Sequence, residues 1–271
     1  HGAGSVCGSG MADREFSTVG YERRNNPRLR IFDRDEFIQA KIAEHHYQPP
    51  YFRLMERLNL EGADAAPRIM RPRRMGLQQI TKSGADHLID VREPLGYAGG
   101  HLPGAMCLPV GMIPAFAGWF ITEGETIALV ASEEDQLAEA MAHLVRIGFD
   151  NIIGGYVGVV PAAAQGAAMR SVPMINTDEV AQRLDQNGGQ WTLLDVRDLE
   201  ERQQTSIDGS EHIYVGELNT RWKELKQDHH YTLMCASGMR ASVAAGWLAS
   251  KGFEHLDIYL GSMGAWKNAS G

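Results

Sequence analysis

The chain has 271 residues, 44% of them hydrophobic, which is room for a sizeable core and, by usual domain sizes, for about two domains. A formal net charge of −8 and a pI near 5.7 argue against nucleic acid and anionic membrane as main partners, and no apolar run reaches the roughly 18 residues of a membrane span. Three cysteines in this length make no disulfide framework, so a reducing, cytoplasmic setting is expected. No signal-peptide pattern is visible. The first residue is His1, which leaves an upstream targeting segment or domain as an expectation.

Residues 1 to 68 are irregular in pattern. His1-Gly-Ala-Gly-Ser5 reads as a Gly-rich turn, and Cys7 follows with nothing beside it that would activate a thiol. A helix is expected over Asp33 to His45, with Phe37, Ile38 and Ile42 on one side and Asp33 or Asp35 near its start. Pro49-Pro50 stop it, and Tyr51 to Leu58 forms a second. His45-His46 and His229-His230 are read as solvated surface histidines, not metal ligands. Ala65 to Arg74, with Pro67, Pro72 and several arginines, reads as a linker.

An internal repeat organises the rest. Leu88-Ile-Asp90-Val-Arg92-Glu93 matches Leu193-Leu-Asp195-Val-Arg197-Asp198, an offset of 105 residues. Gly104 matches Gly209 at the same offset, and Ile147-Gly-Phe149 matches Lys251-Gly-Phe253 at 104. Two tandem copies follow, roughly 69–167 and 168–271. Short apolar runs alternating with helical patterns imply α/β units, each a mainly parallel sheet covered on both faces. Cys107 sits in a strand-like run and is read as a core residue. Ala162 to Met174 reads as a connector. Asn176 and Glu179 form a capping-box pattern at a helix start. Gly216 to Asp228 is expected to be helical, with Leu218, Trp222 and Leu225 on its inner face.

The chemistry is concentrated in Cys235-Ala-Ser-Gly238-Met-Arg240. Tyr231 to Met234 reads as a buried strand, and a helical pattern from Ala241 to Lys251 ends at Gly252. Cys235 is therefore placed at a strand end whose loop closes onto a helix start. Loop N–H groups and the positive helix end converge on one sulfur there. Cysteines at helix N-termini have pKa values lowered to roughly 3.5–7.5. Gly238 supplies loop curvature, and Arg240 supplies a forked cation for an anion. At the equivalent positions the first copy has Ala131 and Gln136, with Glu133, Glu134 and Asp135 between them. That loop has no thiol and no cation, and its acids are expected to repel an anionic donor. Ser132 has no visible His–Asp support as a nucleophile.

Four residues separate Cys235 and Arg240, one fewer than in protein tyrosine phosphatases, which makes a smaller cradle suited to a single sulfur. This Cys-x-x-Gly-x-Arg form resembles the rhodanese family of sulfurtransferases. Leu194-Asp195-Val-Arg197-Asp198 resembles that family's Asp-Val-Arg strand end, and Gly261-Ser-Met-Gly264-Ala-Trp266 its closing Gly-x-x-x-x-Trp segment. The resemblance implies a rhodanese fold in each copy, inactive at 69–167 and catalytic at 168–271. It implies a covalent mechanism with Cys235 as nucleophile and Arg240 holding the anionic donor. Ala236, Ser237, Gly238 and Met239 would cradle the sulfur, and Asp195 and Arg197 would brace the loop. Donor and acceptor would be small molecules, thiosulfate or a low-molecular-weight persulfide on one side and a thiol or cyanide on the other. No metal or organic cofactor is implied, and a homodimer is allowed.

Residues 1–68 resemble the C-terminal tail of the metallo-β-lactamase-type domain of persulfide dioxygenase–rhodanese fusions. The resemblance rests on the His-Gly-Ala-Gly-Ser turn, Ser17-Thr-Val-Gly-Tyr-Glu22 and the Pro-Pro-Tyr helix. The His-x-His-x-Asp-His metal core of those fusions is not in this sequence, so the chain carries no dioxygenase chemistry itself. Three other readings stay open: a phosphatase or arsenate reductase on the same fold, a non-catalytic interaction module, and an auxiliary part of a persulfide dioxygenase system.

Overall fold

The computed structural model describes residues 16–43, 47–63, 65, 71–186 and 189–270. The expectations for His1 to Ser5, for Cys7 and for His45-His46 lie outside them. The chain divides after Gln48 into two units. In the first, Thr18 caps α1 (Val19–Asn25) by accepting from the Tyr21 N–H at 3.2 Å. A short 3-10 turn (Pro27–Arg30) follows. Asp33 then caps α2 (Arg34–Ile42) by accepting from the Glu36 N–H at 2.8 Å. The expected inner face of α2 is not formed, since Phe37 and Ile42 are 40% and 71% exposed.

The second unit starts at Pro49, not at residue 69. The reason is α3 (Phe52–Glu61). The ring of Tyr51, just before it, lies so close to Gly118 that a Cβ there would fall 1.9 Å from Tyr51 Cδ1. Leu54 and Leu58 cover Gly148 in the same way. This helix packs on the first repeat instead of belonging with the segment before it.

The first repeat contains α4 (Leu77–Thr81), β1 (His87–Asp90), α5 (Pro94–Gly99), β2 (Met106–Cys107), α6 (Ile113–Phe120), β3 (Ile127–Ala131), α7 (Glu134–Arg146), β4 (Ile152–Val157) and α8 (Val159–Ala164). The second contains β5 (Met174–Ile175), α9 (Thr177–Gln186), β6 (Trp191–Asp195), α10 (Leu199–Gln204), β7 (Glu211–His212), α11 (Leu218–Arg221), β8 (His230–Met234), α12 (Met239–Ser250), β9 (Leu256–Tyr259) and α13 (Ser262–Ser270). Every described pairing between named strands is parallel, in the orders β2-β1-β3-β4 and β5-β9-β8-β6-β7. The two orders superimpose once Arg74, which bridges Gly155 on β4, is counted as the counterpart of β5. The end of the expected linker is thus a sheet edge, held by Met75 N–H to Gly155 O at 2.8 Å and Gly155 N–H to Arg73 O at 2.9 Å. Central strand β3 is buried at every residue, as a parallel strand covered by helices on both faces must be.

Local expectations hold where the pattern is local. Asn176 and Glu179 exchange hydrogen bonds at 2.9 and 3.0 Å, closing the capping box of α9. Cys107 is fully buried in β2, and burial pushes its thiol well up. Two expectations are corrected. Gly216 to Asp228 is not one helix but a 3-10 turn (Val215–Glu217), α11 and another 3-10 turn (Trp222–Glu224), and of the expected inner face Leu218, Trp222 and Leu225 only Leu218 is fully buried. A Cβ on Gly216 would lie 2.4 Å from Trp119, so this segment follows the first repeat's surface rather than a helical period. His229 and His230 are half-buried, not solvated, and they hydrogen-bond Thr192 and Asp257 at 2.9 Å each.

Helix α12 is buried from Ala241 to Leu248, all round rather than on one face. Its own sheet covers one side and the first repeat covers the other. A Cβ on Gly246 would fall 2.3 Å from the Cys107 nitrogen. Trp247 packs on Phe120 at 4.8 Å between centroids and stacks on His87 at 6.3 Å. No helix among the described residues is long and apolar enough to cross a membrane.

Candidate active site

Strand β8 ends at Met234, so Cys235 emerges at the C-terminal edge of the sheet, where parallel α/β folds place their ligands. Cys235 is 1% exposed, and all three of its polar positions are engaged. Its sulfur accepts from the Gly238 N–H at 3.1 Å. Its own N–H donates to Ser262 Oγ at 3.1 Å, and its carbonyl accepts from the Met263 N–H at 3.0 Å. The Gly264 N–H binds the Ala236 carbonyl at 2.9 Å. The Gly-x-x-x-x-Trp segment thus holds the loop from below while the first turn of α12 closes it from above.

Gly238 has φ +110°, a conformation that only glycine adopts freely, and it is the N-cap of the twelve-residue α12. That φ turns its N–H onto the sulfur and sends its carbonyl to Ser242. Ala236 and Ser237 are exposed, and Met239 is half-buried. The dipole of α12 adds positive potential at the same place. The loop is therefore a preorganised cradle around one buried sulfur.

Arg240 does not stand open toward an incoming anion. Its Nη1 and Nη2 donate to Glu201 Oε2 and Oε1 at 2.5 and 2.7 Å, fork against fork. Glu201 is pinned from its other side. Its N–H donates to Asp198 Oδ1 at 2.7 Å, and its Oε2 accepts from the Asp198 N–H at 3.3 Å, the capping box of α10. Burial on its own would raise the Glu201 carboxyl, but the Arg240 fork and the Asp198 contacts outweigh it and bring it to about 2. Burial likewise lowers Arg240, and Glu201 more than reverses that, so both partners are charged.

Asp195 and Arg197 do not touch the loop directly. Arg197 Nε and Nη2 bind Asp195 at 3.0 and 2.6 Å, with both side chains buried. Arg197 then reaches the carbonyls of Glu201 at 3.3 Å and Thr205 at 2.7 Å. Its bracing acts on α10, and only through Glu201 on Arg240. Sequence reasoning missed Glu201 and the role of Ser262. The Asp198-x-x-Glu201 capping signature was a readable signal for the first; nothing local marked the second.

The first repeat keeps the brace and lacks the site. Arg92 Nη2 binds Asp90 at 2.6 Å and the Gly100 carbonyl at 2.6 Å, as Arg197 does in the second copy. Ala131 stands at the cysteine position, and Gln136, in place of Arg240, folds back to accept from the Ser132 N–H at 2.9 Å. Gly96 occupies the position of Glu201, so both halves of the ion pair are missing together. The acids of this loop are not a free anionic ring. Glu134 pairs with Arg74, and Asp135 lies 3.8 Å from Arg71.

A sulfur held by the Gly238 amide at the end of a parallel strand, in one of two α/β repeats of matching strand order, defines a tandem fold with one loop-borne thiol site among the described residues. The chain belongs to the rhodanese-like family: the rhodanese-like domain matches residues 76–160 and 176–269. Among curated proteins it is similar to a putative sulfur carrier protein, YrkF, of Bacillus subtilis, 31% identical over 96 residues, which is 35% of this chain and 51% of that protein. It is also similar to a putative sulfurtransferase, YtwF, of Bacillus subtilis, 33% identical over 75 residues, 28% of this chain and 72% of that one. The chain spans about half the length of the first of these relatives. Among solved structures, a rhodanese-related protein from Thermoplasma volcanium is 29% identical, with a TM-score of 0.33, covering 36% of this chain and 92% of its own.

Proposed function

We propose that the chain is a rhodanese-type sulfurtransferase in which Cys235 carries sulfur between a small-molecule donor and a thiol acceptor. The relatives named as sulfur carrier and sulfurtransferase support a general sulfur-transfer role. The observation that carries the reading to a residue is the buried Cys235 sulfur with the Gly238 N–H 3.1 Å away. The Cys235 thiolate attacks the outer sulfur of the donor. A new S–S bond forms, the donor's own S–S bond breaks, and the electron pair leaves with sulfite from thiosulfate or with a thiolate from a persulfide. The extra sulfur is then bound to Cys235 and lies among the amides of Ala236 to Arg240, which stabilise its charge as an oxyanion hole would. An acceptor thiol or cyanide removes it and returns the thiolate. Ser237, exposed on the loop, would donate a hydrogen bond to the bound sulfur.

In this reading 168–271 is the catalytic domain and 69–167 an inactive one whose Ala131 cannot carry sulfur. Residues 1–68 are the tail of a metallo-β-lactamase-type domain, which would make the chain an auxiliary part of a persulfide dioxygenase system; that part rests on the sequence motifs alone. The setting is reducing and cytoplasmic, and a homodimer is compatible with it.

The test is intact-protein mass spectrometry after treatment with thiosulfate and, separately, with glutathione persulfide. A gain of one sulfur atom, removed by cyanide and absent in Cys235→Ser, is expected. No gain from either donor would move the chain to a non-catalytic interaction module.

A further inference from the structure

The Arg240–Glu201 pair bears on which donors the site accepts, an inference that rests on the sulfurtransferase reading. Arg240 is the cation that would bind an anionic donor, and each of its terminal nitrogens donates to the same carboxylate, which neutralises its charge. Ala236, Ser237, Gly238 and Met239 bring no second cation. Asp198, half-buried beside Glu201, brings another carboxyl. Glu201 is also not free to swing aside. Its side chain is held by the Asp198 N–H, its N–H by Asp198 Oδ1, and its carbonyl by Arg197. What remains for a ligand at Cys235 is the Gly238 N–H and the positive end of α12, with the one loop cation neutralised by its carboxylate.

N–H dipoles suffice for the single charge of a transferred sulfur. They match poorly the compact dianion of thiosulfate, whose second charge sits on a sulfonate that would have to settle close to the Glu201 carboxylate. Like charges brought together at a binding surface suppress the wrong partner.

We propose that Glu201 is a specificity-determining residue that directs Cys235 toward low-molecular-weight persulfides and away from thiosulfate. The favoured step is attack of the Cys235 thiolate on the terminal sulfur of a protonated persulfide. The Cys235–sulfur bond forms, the donor S–S bond breaks, and the electron pair leaves on the donor's alkyl thiolate. The proton stays on the transferred sulfur, and no outside oxidant or reductant enters.

The experiment measures single-turnover sulfur loading of Cys235 by mass spectrometry with two probes, cysteine persulfide and thiosulfate. It compares the whole chain with Glu201→Gln, which keeps the size of the side chain and its capping geometry. The readout is the ratio of the two loading rates within each protein, so differences in active fraction cancel. Glu201→Gln is expected to shift that ratio toward thiosulfate by about tenfold or more. An unchanged ratio, or a shift the other way, overturns the inference and leaves the sulfurtransferase reading intact. Loading from neither probe in the wild type overturns the reading beneath it. Should Glu201→Gln fail to fold, the wild type read against ionic strength decides. Screening of Glu201 raises thiosulfate loading relative to persulfide as salt rises, whereas a donor drawn in by Arg240 would lose it.

Discussion

Arg240 and Glu201 face each other across 39 residues of chain, and both are replaced in the first repeat, by Gln136 and Gly96. A forked cation left buried without its carboxylate is costly, and so is the converse, so each residue is destabilising without the other. The pair is half-buried and brings α10 onto the first turn of α12. It couples the strand end carrying Asp195 to the loop carrying Cys235.

This pair gives the fold an acid dependence. Glu201 falls from an ordinary 4.5 to about 2, so its folded form holds a proton less readily than its unfolded form. Its contribution is fully present above about pH 4.5 and is lost as pH falls from there toward 2. The shift corresponds to on the order of 3 kcal/mol. Thermal melts of wild type and Glu201→Gln should lie furthest apart at neutral pH and draw together as pH falls below about 4.5 toward 2. Parallel curves would show that the pair adds nothing to stability.

The buried Asp–Arg braces are expected to be costly to break in both repeats. Asp195→Ala and Asp90→Ala each leave a buried guanidinium without its carboxylate, at about 3–5 kcal/mol, and Asp195→Ala also loses the 3.4 Å contact to Arg202, which has no counterpart in the first repeat. Denaturant melts of both variants should show large losses of midpoint, that of Asp195→Ala the larger. A large loss for Asp195 alone would mean that the brace in the first repeat has lost its structural role.

Ser262 is the one described non-glycine residue with positive φ, at +50°, and it is fully buried. Its hydroxyl donates to the Tyr259 carbonyl at 2.8 Å while accepting from Cys235. The left-handed conformation costs a residue with a Cβ about 1–2 kcal/mol, and an orphaned buried N–H costs about 1–3 kcal/mol. Ser262→Ala keeps the first cost and incurs the second, whereas Ser262→Gly incurs only the second. Ser262→Gly should therefore melt higher than Ser262→Ala. The reverse order would mean that the strain is absent.

Gly246 leaves no room for a methyl group against Cys107. Gly246→Ala should cost about 1–3 kcal/mol through overpacking, despite alanine's better helix propensity. The fluorescence of Trp247, one residue away, reports whether the wall between the repeats has moved. A stabilised Gly246→Ala would show that α12 is free to shift outward.

What the sequence disclosed was what repeats or lies close along the chain. The 105-residue offset marked two copies of one α/β unit, and Cys235 to Arg240 announced a loop between strand and helix. Asn176 and Glu179 announced a cap. The misreadings concern partners distant in sequence. Arg240 looked available because Glu201 lies in another helix. The acids after Ala131 looked free because Arg71 and Arg74 are some 60 residues upstream. Gly216 to Asp228 looked helical because nothing in its own pattern reveals Trp119 pressing on it. Composition marked a boundary at residue 68 but not the packing of Tyr51 and Leu54 on the first repeat, which joins the residues from Pro49 onward to the same compact unit.

Helix α12 has no solvent face of its own to return to. Its outward side carries Gly246, notched for the backbone of the neighbouring repeat, and Trp247, whose ring nitrogen is buried without a hydrogen-bond partner. The first repeat is therefore a wall of the second, and deleting it would strip one side of the helix that aims its dipole at Cys235. Half of the chain can lack a thiol in its own loop and still be indispensable to the loop that has one.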